Sequence, residues 1–174
     1  MKLFVFELST RSSEAEIVKL KGKLNSEFEM TDLGELAYFL GLEFLKTKSG
    51  IIMHQKKYIS DVLSRFQMLD YKPVIGPVEG KVGSNDSATE KPIDPTLYRH
   101  IVGCLRFICQ SRLEITYVAG VINRHMANPK QSHIIAAKRI MRYLKGTMNY
   151  GIMFPNQIEE SESYFVGYSN SNWC

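Results

Sequence analysis

Three successive runs of apolar residues at helical spacing, between residues 94 and 147, constrain this chain more than any other feature. Asp94-Pro95 supplies an N-cap and a proline at the first helical position, which opens a helix through about Gln110. Glu114–Met126 reads as a second helix, stopped near Asn128-Pro129. Ser132 is the expected cap of a third, which runs through about Lys145 and is ended by Gly146. In that third helix Ile134, Ala137, Met141 and Leu144 fall at i, i+3, i+7 and i+10, an apolar stripe that has to be buried. Residues 95–147 are therefore expected to be the most self-sufficient part of the chain.

The same segment concentrates the charge. Residues 97–147 hold nine Lys and Arg against a single acid, Glu114, so they carry +8 while the rest of the chain sums to −4. His100, His125 and His133 lie there too. A basic block of that size is an electrostatic footprint for a polyanion, nucleic acid first among them. The bland reading is a solvated helical surface facing the acidic Glu159, Glu160 and Glu162. Lys138, Arg142 and Lys145 form a basic stripe at i, i+4 and i+7, with Arg139 beside it. Such a face can replace condensed counterions on a phosphate backbone, and without base-reading side chains it positions rather than specifies. These four are the candidate nucleic-acid contacts.

Elsewhere the signals are those of a mixed α+β chain. Residues 3–9 read as a short strand, and Ser13 with Glu16 as a capping box before a helix at about 14–28 carrying Ile17, Leu20, Leu24 and Phe28. Leu36–Leu45 and Ile51–His54 read as a hairpin, and Gln55–Phe66 as a helix. Residues 70–96 hold Pro73, Pro77, Pro92 and Pro95 with three glycines and a Ser-Asn-Asp-Ser run, so they read as a linker. Tyr150–Phe154 and Tyr164–Tyr168 read as two further strands. With 44% hydrophobic residues the chain can build a core, yet no run approaches the roughly 18 residues a membrane span needs. Cys104, Cys109 and Cys174 are odd in number and lack metal-ligand spacing, which points to reduced thiols in a cytoplasmic or nuclear protein that is not secreted.

Several short motifs, in order and at their spacing, resemble the polyprotein of copia-type long-terminal-repeat retrotransposons, from reverse transcriptase into ribonuclease H. They are Phe28-Glu29-Met30-Thr31-Asp32-Leu33-Gly34, Tyr38-Phe39-Leu40-Gly41-Leu42-Glu43, Gln55-Lys56-Lys57-Tyr58 and Asp94-Pro95-Thr96-Leu97-Tyr98-Arg99. Ala136-Ala137-Lys138-Arg139, Arg142-Tyr143-Leu144-Lys145-Gly146-Thr147 and Gly167-Tyr168-Ser169 follow. The resemblance implies a palm remnant and the start of the thumb over 1–69, the linker 70–96, a basic thumb and connection segment over 97–147, and the opening of a ribonuclease H-like fold over 148–174. Leu36–His54 would then be the palm-edge hairpin that grips a primer terminus. The partner implied is an RNA–DNA or DNA duplex held without sequence preference.

The resemblance also shows what is missing. Members of this family use Mg²⁺ held by carboxylates, and read back from Ser13 without a gap, the paired polymerase aspartates fall on Val5 and Phe6. At the nuclease end Asn170 and Asn172 stand where the family has Asp, and an amide cannot supply the charge a hard cation requires. The chain stops at Cys174, before further ligands. Ser111-Arg112-Leu113-Glu114 replaces an Arg-Pro-Asp pattern, which is expected to loosen the turn into the second helix. The expectation is a chain with no catalytic residues, no metal and no cofactor of its own. A backbone-binding module and a protein that associates with other retroelement proteins are the alternatives.

Overall fold

In a computed structural model, the residues described are 14–28, 37–78, 91 and 93–155. They form α1 (Glu14–Glu27), β1 (Tyr38–Phe39), β2 (Leu42–Thr47), β3 (Gly50–His54), α2 (Lys56–Arg65), α3 (Pro95–Ile108), a 3-10 turn (Leu113–Ile115), α4 (Thr116–Asn123), α5 (Gln131–Gly146) and β4 (Ile152–Pro155). The chain is thus mixed helix and antiparallel sheet. It divides into two compact units, one of Met1–Asp32, Lys46–Ile51 and Phe154–Cys174, the other of Leu33–Leu45 and Ile52–Met153. The strand at 3–9, the Ser13 cap and the strand at 164–168 expected from sequence lie outside the described residues.

The larger unit holds the apolar core. α5 packs on α2, α3 and α4, and α3 packs on α4. The expected stripe Ile134, Ala137, Met141 and Leu144 is buried, together with Ile140. Facing it are Ile101 and Leu105 of α3, Val118 and Ile122 of α4, and Ile59, Val62 and Leu63 of α2. A helix from before the proline-rich stretch therefore shares one core with the three that follow it. Burial pushes the Tyr98 hydroxyl up to about 12, so it remains a donor and reaches the carbonyl of Ile122 at 2.7 Å.

Local chemistry explains the ends of these helices. Asp94 caps α3 as expected, accepting from the Thr96 amide at 2.8 Å, and that bond holds its carboxyl below the usual range. α2 is capped by a distant side chain: Glu43 of β2 accepts from the Lys57 amide at 2.8 Å. Gln55, at the N-cap position, turns inward and accepts from the Ser111 hydroxyl at 2.8 Å. α2 ends in a Schellman motif, with Met68 N–H bonded to Leu63 O and Gln67 N–H to Ser64 O. The residue in the left-handed conformation is Gln67, φ 55°, where glycine would be unstrained.

Three expectations change. The single strand Leu36–Leu45 is broken by a two-residue turn at Leu40 and Gly41, whose φ values of 48° and 84° suit a tight hairpin. Tyr38 consequently pairs with Glu43 and Phe39 with Leu42. The second basic-segment helix is shorter than Glu114–Met126: it opens as a 3-10 turn and ends at Asn123. Ser132 does not cap α5. The Lys130 amide donates to His133 Nδ1 at 3.0 Å and the His133 amide to the Lys130 carbonyl at 3.1 Å, so the imidazole at the third helical position reaches back to the N-cap amide as Glu or Gln does in a capping box. Ile152–Pro155 forms the edge of a sheet ordered β1-β2-β3-β4, beside the hairpin strand β3.

The smaller unit contributes α1 and the turn at Lys48-Ser49, across which Thr47 Oγ1 donates to Gly50 O at 2.8 Å. Val18, Leu20 and Phe28 of this unit are exposed. Among the described residues no helix is long and apolar enough to cross a membrane.

Candidate nucleic-acid interface

Nine cations in one short segment repel one another unless the fold spreads or satisfies them. The fold does both. Arg112 leaves the surface altogether: its side chain is 1% exposed. Its Nε donates to Glu114 Oε1 at 2.7 Å, Nη1 to the Thr147 carbonyl at 2.9 Å, and Nη2 to Thr147 Oγ1. The guanidinium carbon lies 5.6 Å from the centroid of the Tyr143 ring and 5.5 Å from that of Tyr150. A buried guanidinium is tolerated only when its donors are satisfied and a carboxylate faces it, and both conditions hold. So the segment expected to loosen the turn into α4 instead ties that turn to the end of α5. It also takes Glu114, the sole acid of the block, out of play.

The four candidate contacts divide in two. Lys138 is exposed and Arg139 half-buried on α5. Arg142 Nε donates to the Lys72 carbonyl at 2.7 Å, and Lys145 Nζ to the Tyr71 carbonyl at 2.8 Å. A Cβ on Gly146 would stand 3.0 Å from Pro73 Cβ, so the glycine lets this strand of loop lie close. The opening of the 70–96 stretch is thereby held along α5, and its far end is held by Ile93 N–H on the Pro129 carbonyl. Arg142 and Lys145 keep their charge but spend donors on backbone carbonyls that would otherwise be left to water.

The remaining cations lie on α3 and α4. Arg99 Nε donates to the Met126 carbonyl at 3.2 Å. Arg106 and Arg124 are exposed, and among the described residues no carboxylate pairs with either. Sequence reasoning missed the division of labour within the basic block. Only one signal could have found it: Glu114 lies two residues from Arg112 and is the only acid within reach along the chain.

Val5, Phe6 and Asn170 lie outside the described residues, so the fit of a divalent cation is decided by donor chemistry. Valine and phenylalanine offer no donor atom, and an asparagine amide is neutral. The residues at those positions do not fit Mg²⁺.

Comparison with known proteins agrees with the motifs. The reverse transcriptase (RNA-dependent DNA polymerase) family matches residues 1–80. An uncharacterised mitochondrial protein of Arabidopsis thaliana is 33% identical over 167 residues, which cover 96% of this chain and 68% of that protein. The retrovirus-related Pol polyprotein from transposon RE1 of the same plant is 36% identical over 151 residues, 87% of this chain. That from transposon TNT 1-94 of Nicotiana tabacum is 31% identical over 166 residues, 90% of this chain. The chain spans 10% and 12% of these two polyproteins. No solved structure matches it. The chain belongs to the copia-type retrotransposon polyprotein family, and carries part of its reverse transcriptase.

Proposed function

We propose that this chain is a catalytically silent part of a retrotransposon reverse transcriptase whose helical unit holds a nucleic-acid duplex by its backbone, without reading sequence. The observation that carries the reading is the set of exposed cations, Arg106, Arg124 and Lys138, standing on a packed helical unit whose one acid in 97–147 is committed to Arg112. Rigid helices hold cations at fixed separations, which is what phosphate contacts require. In this reading β1–β3 are a palm-edge hairpin, α2 to α5 are thumb and connection, and the residues from 148 onward open a ribonuclease H-like fold. Lys138, Arg139, Arg142 and Lys145 add to the positive field.

Catalytic silence rests on Val5 and Phe6 at the aspartate positions of the polymerase and on Asn170 at that of the nuclease. The two metal ions of phosphoryl transfer need anionic ligands to hold them against water. Purified protein supplied with Mg²⁺ or Mn²⁺, primed template and an RNA–DNA hybrid gives neither extension nor cleavage; metal-dependent product overturns the reading. Binding is read by titrating a labelled hybrid at two salt concentrations. Log affinity falls against log salt by about 0.9 per phosphate contacted. A titration indifferent to salt ends the binding half of the proposal. Exposed Tyr38, Leu40 and Leu45 on the hairpin favour a second reading, association with other retroelement proteins, which a stoichiometric complex on sizing would support.

A further inference from the structure

Two histidines of the basic block, His125 just past α4 and His133 in the first turn of α5, stack on one another. Their ring centroids are 3.8 Å apart, with 21° between the planes. His133 is 2% exposed and His125 half-buried. The Tyr98 ring of α3 stands 6.4 Å from that of His133, its hydroxyl spent on the Ile122 carbonyl. Three further bonds hold the connection between α4 and α5, each at 3.2 Å. His125 N–H donates to the Ile122 carbonyl, Arg99 Nε to that of Met126, and Ile93 N–H to that of Pro129.

The role of His133 in the cap fixes its protonation. Nδ1 accepts the Lys130 N–H at 3.0 Å, so it carries no proton, and the neutral ring holds its proton on Nε2. An added proton goes to Nδ1 and sets one N–H against another. It also places a cation at the third position of a 16-residue helix, against the positive end of the peptide dipoles. The surroundings supply more cations: Arg99 reaches the connection from α3, Arg124 precedes His125, and Lys130 is the N-cap of α5. Tyr98 stays neutral, since burial pushes its hydroxyl up to about 12. Of the acids, Glu114 is committed to Arg112, and Asp94 at the start of α3 accepts from the Thr96 amide with His100 nearby. Two imidazolium rings at stacking distance repel one another.

We propose that the His125–His133 stack is a proton-operated latch: closed at neutral pH, it opens on acidification and releases the α4–α5 connection together with the Ile93 anchor. The device works without any bound duplex. The closed latch needs His133 free of a proton at Nδ1, whereas the open one takes a proton up below the ordinary imidazole value of about 6.5. The open form therefore binds more protons, and the latch weakens as pH falls. Each ring that must stay proton-free makes opening about tenfold easier at pH 5.5 than at pH 7.5. Arg142 and Lys145 do not titrate in this range, so their bonds to the Lys72 and Tyr71 carbonyls persist when the latch opens.

The test follows amide hydrogen exchange of the full chain at about pH 7.5 and 5.5, each rate divided by that of an unstructured amide at the same pH. In the parent the Lys130 and Ile93 amides lose protection by about tenfold to a hundredfold, as one or both rings take up a proton. They stay less protected than the core amides of Leu105 and Leu144 at both pH values. His133→Gln keeps the reach back to the Lys130 amide and cannot titrate, so its protection is the same at the two pH values. His125→Phe keeps the stack and loses about tenfold, the share of His133 alone. The nitrogen chemical shifts of the His133 ring in the parent read the proton directly and need no variant to fold. Protection independent of pH in the parent, or a loss in His133→Gln equal to the parent's, overturns the proposal. So does half-protonation of His133 at or above about pH 6.5. Equal protection of the core and the connection overturns it as well, because the opening is then global unfolding.

Discussion

α1 and α5 carry the same kind of apolar spacing, and the fold treats them in opposite ways. On α5 the stripe Ile134, Ala137, Met141 and Leu144 is sealed beneath three other helices. Of the stripe expected at about 14–28, Leu20 and Phe28 remain exposed, and Leu24 is only half-buried. Helical periodicity thus declares that a segment will coil, and says nothing about what will cover it. Cover comes from neighbours with complementary stripes, and α5 has three of them. Most of the stability of a helix in a protein comes from that cover rather than from propensity.

The comparison breaks most readily at the cluster that locks α5 to the start of α4. Arg112→Ala leaves Glu114 and Thr147 facing a hole and should cost about 3 kcal/mol, read as a shift of the urea midpoint. A cost below about 1 kcal/mol would mean that the end of α5 is held by packing alone. Leu144→Ala, one residue of the sealed stripe, should cost about 2–3 kcal/mol in the same measurement. Leu20→Ala on α1 should stay within about 0.5 kcal/mol, and a loss equal to that of Leu144→Ala would erase the contrast between the helices.

Smaller effects sharpen the picture within the helical unit. Gln67→Gly should stabilise by about 0.5–1 kcal/mol, because the left-handed position after α2 then costs no Cβ strain. Unchanged melting would show that the Gln67 side chain makes up that strain elsewhere. The smallest effect concerns Asp94. Its carboxyl is held below its ordinary value by the Thr96 amide, so its contribution is complete above about pH 4 and is lost as pH falls through the folded value. The Thr96 amide should lose hydrogen-exchange protection on acidification, and Asp94→Asn should remove that pH dependence.

Much of the helical unit was legible in the sequence because its signals are local. Asp94-Pro95 opens α3, the apolar stripe gives α5, and Gly146 closes it, each decided by residues within a turn or two of one another. The hairpin was legible only in outline: within Leu36–Leu45 no polar residue stands at or before the turn at Leu40 and Gly41, and a left-handed leucine carries no sequence signal. The α5 cap was misplaced for a related reason. Ser132 is the better cap by residue type, but the backbone turns two residues earlier, at Lys130, and an imidazole reaches back to it.

By itself the sequence determined the family, the positions of the helices and the sign of the charge, because motif order, period and composition are all properties of the chain in one dimension. Which charges face solvent was decided only by tertiary structure. Arg112 has Glu114 two residues away, but only the fold adds Thr147 and two tyrosines and buries it, while Arg124 stands exposed. Arg142 and Lys145 share the α5 stripe with Lys138, yet the residues they bond, Tyr71 and Lys72, lie some seventy positions away in the chain. A charge is satisfied by whatever polar group the fold brings within about 3 Å, and contacts over that separation in sequence exist only once α5 has packed.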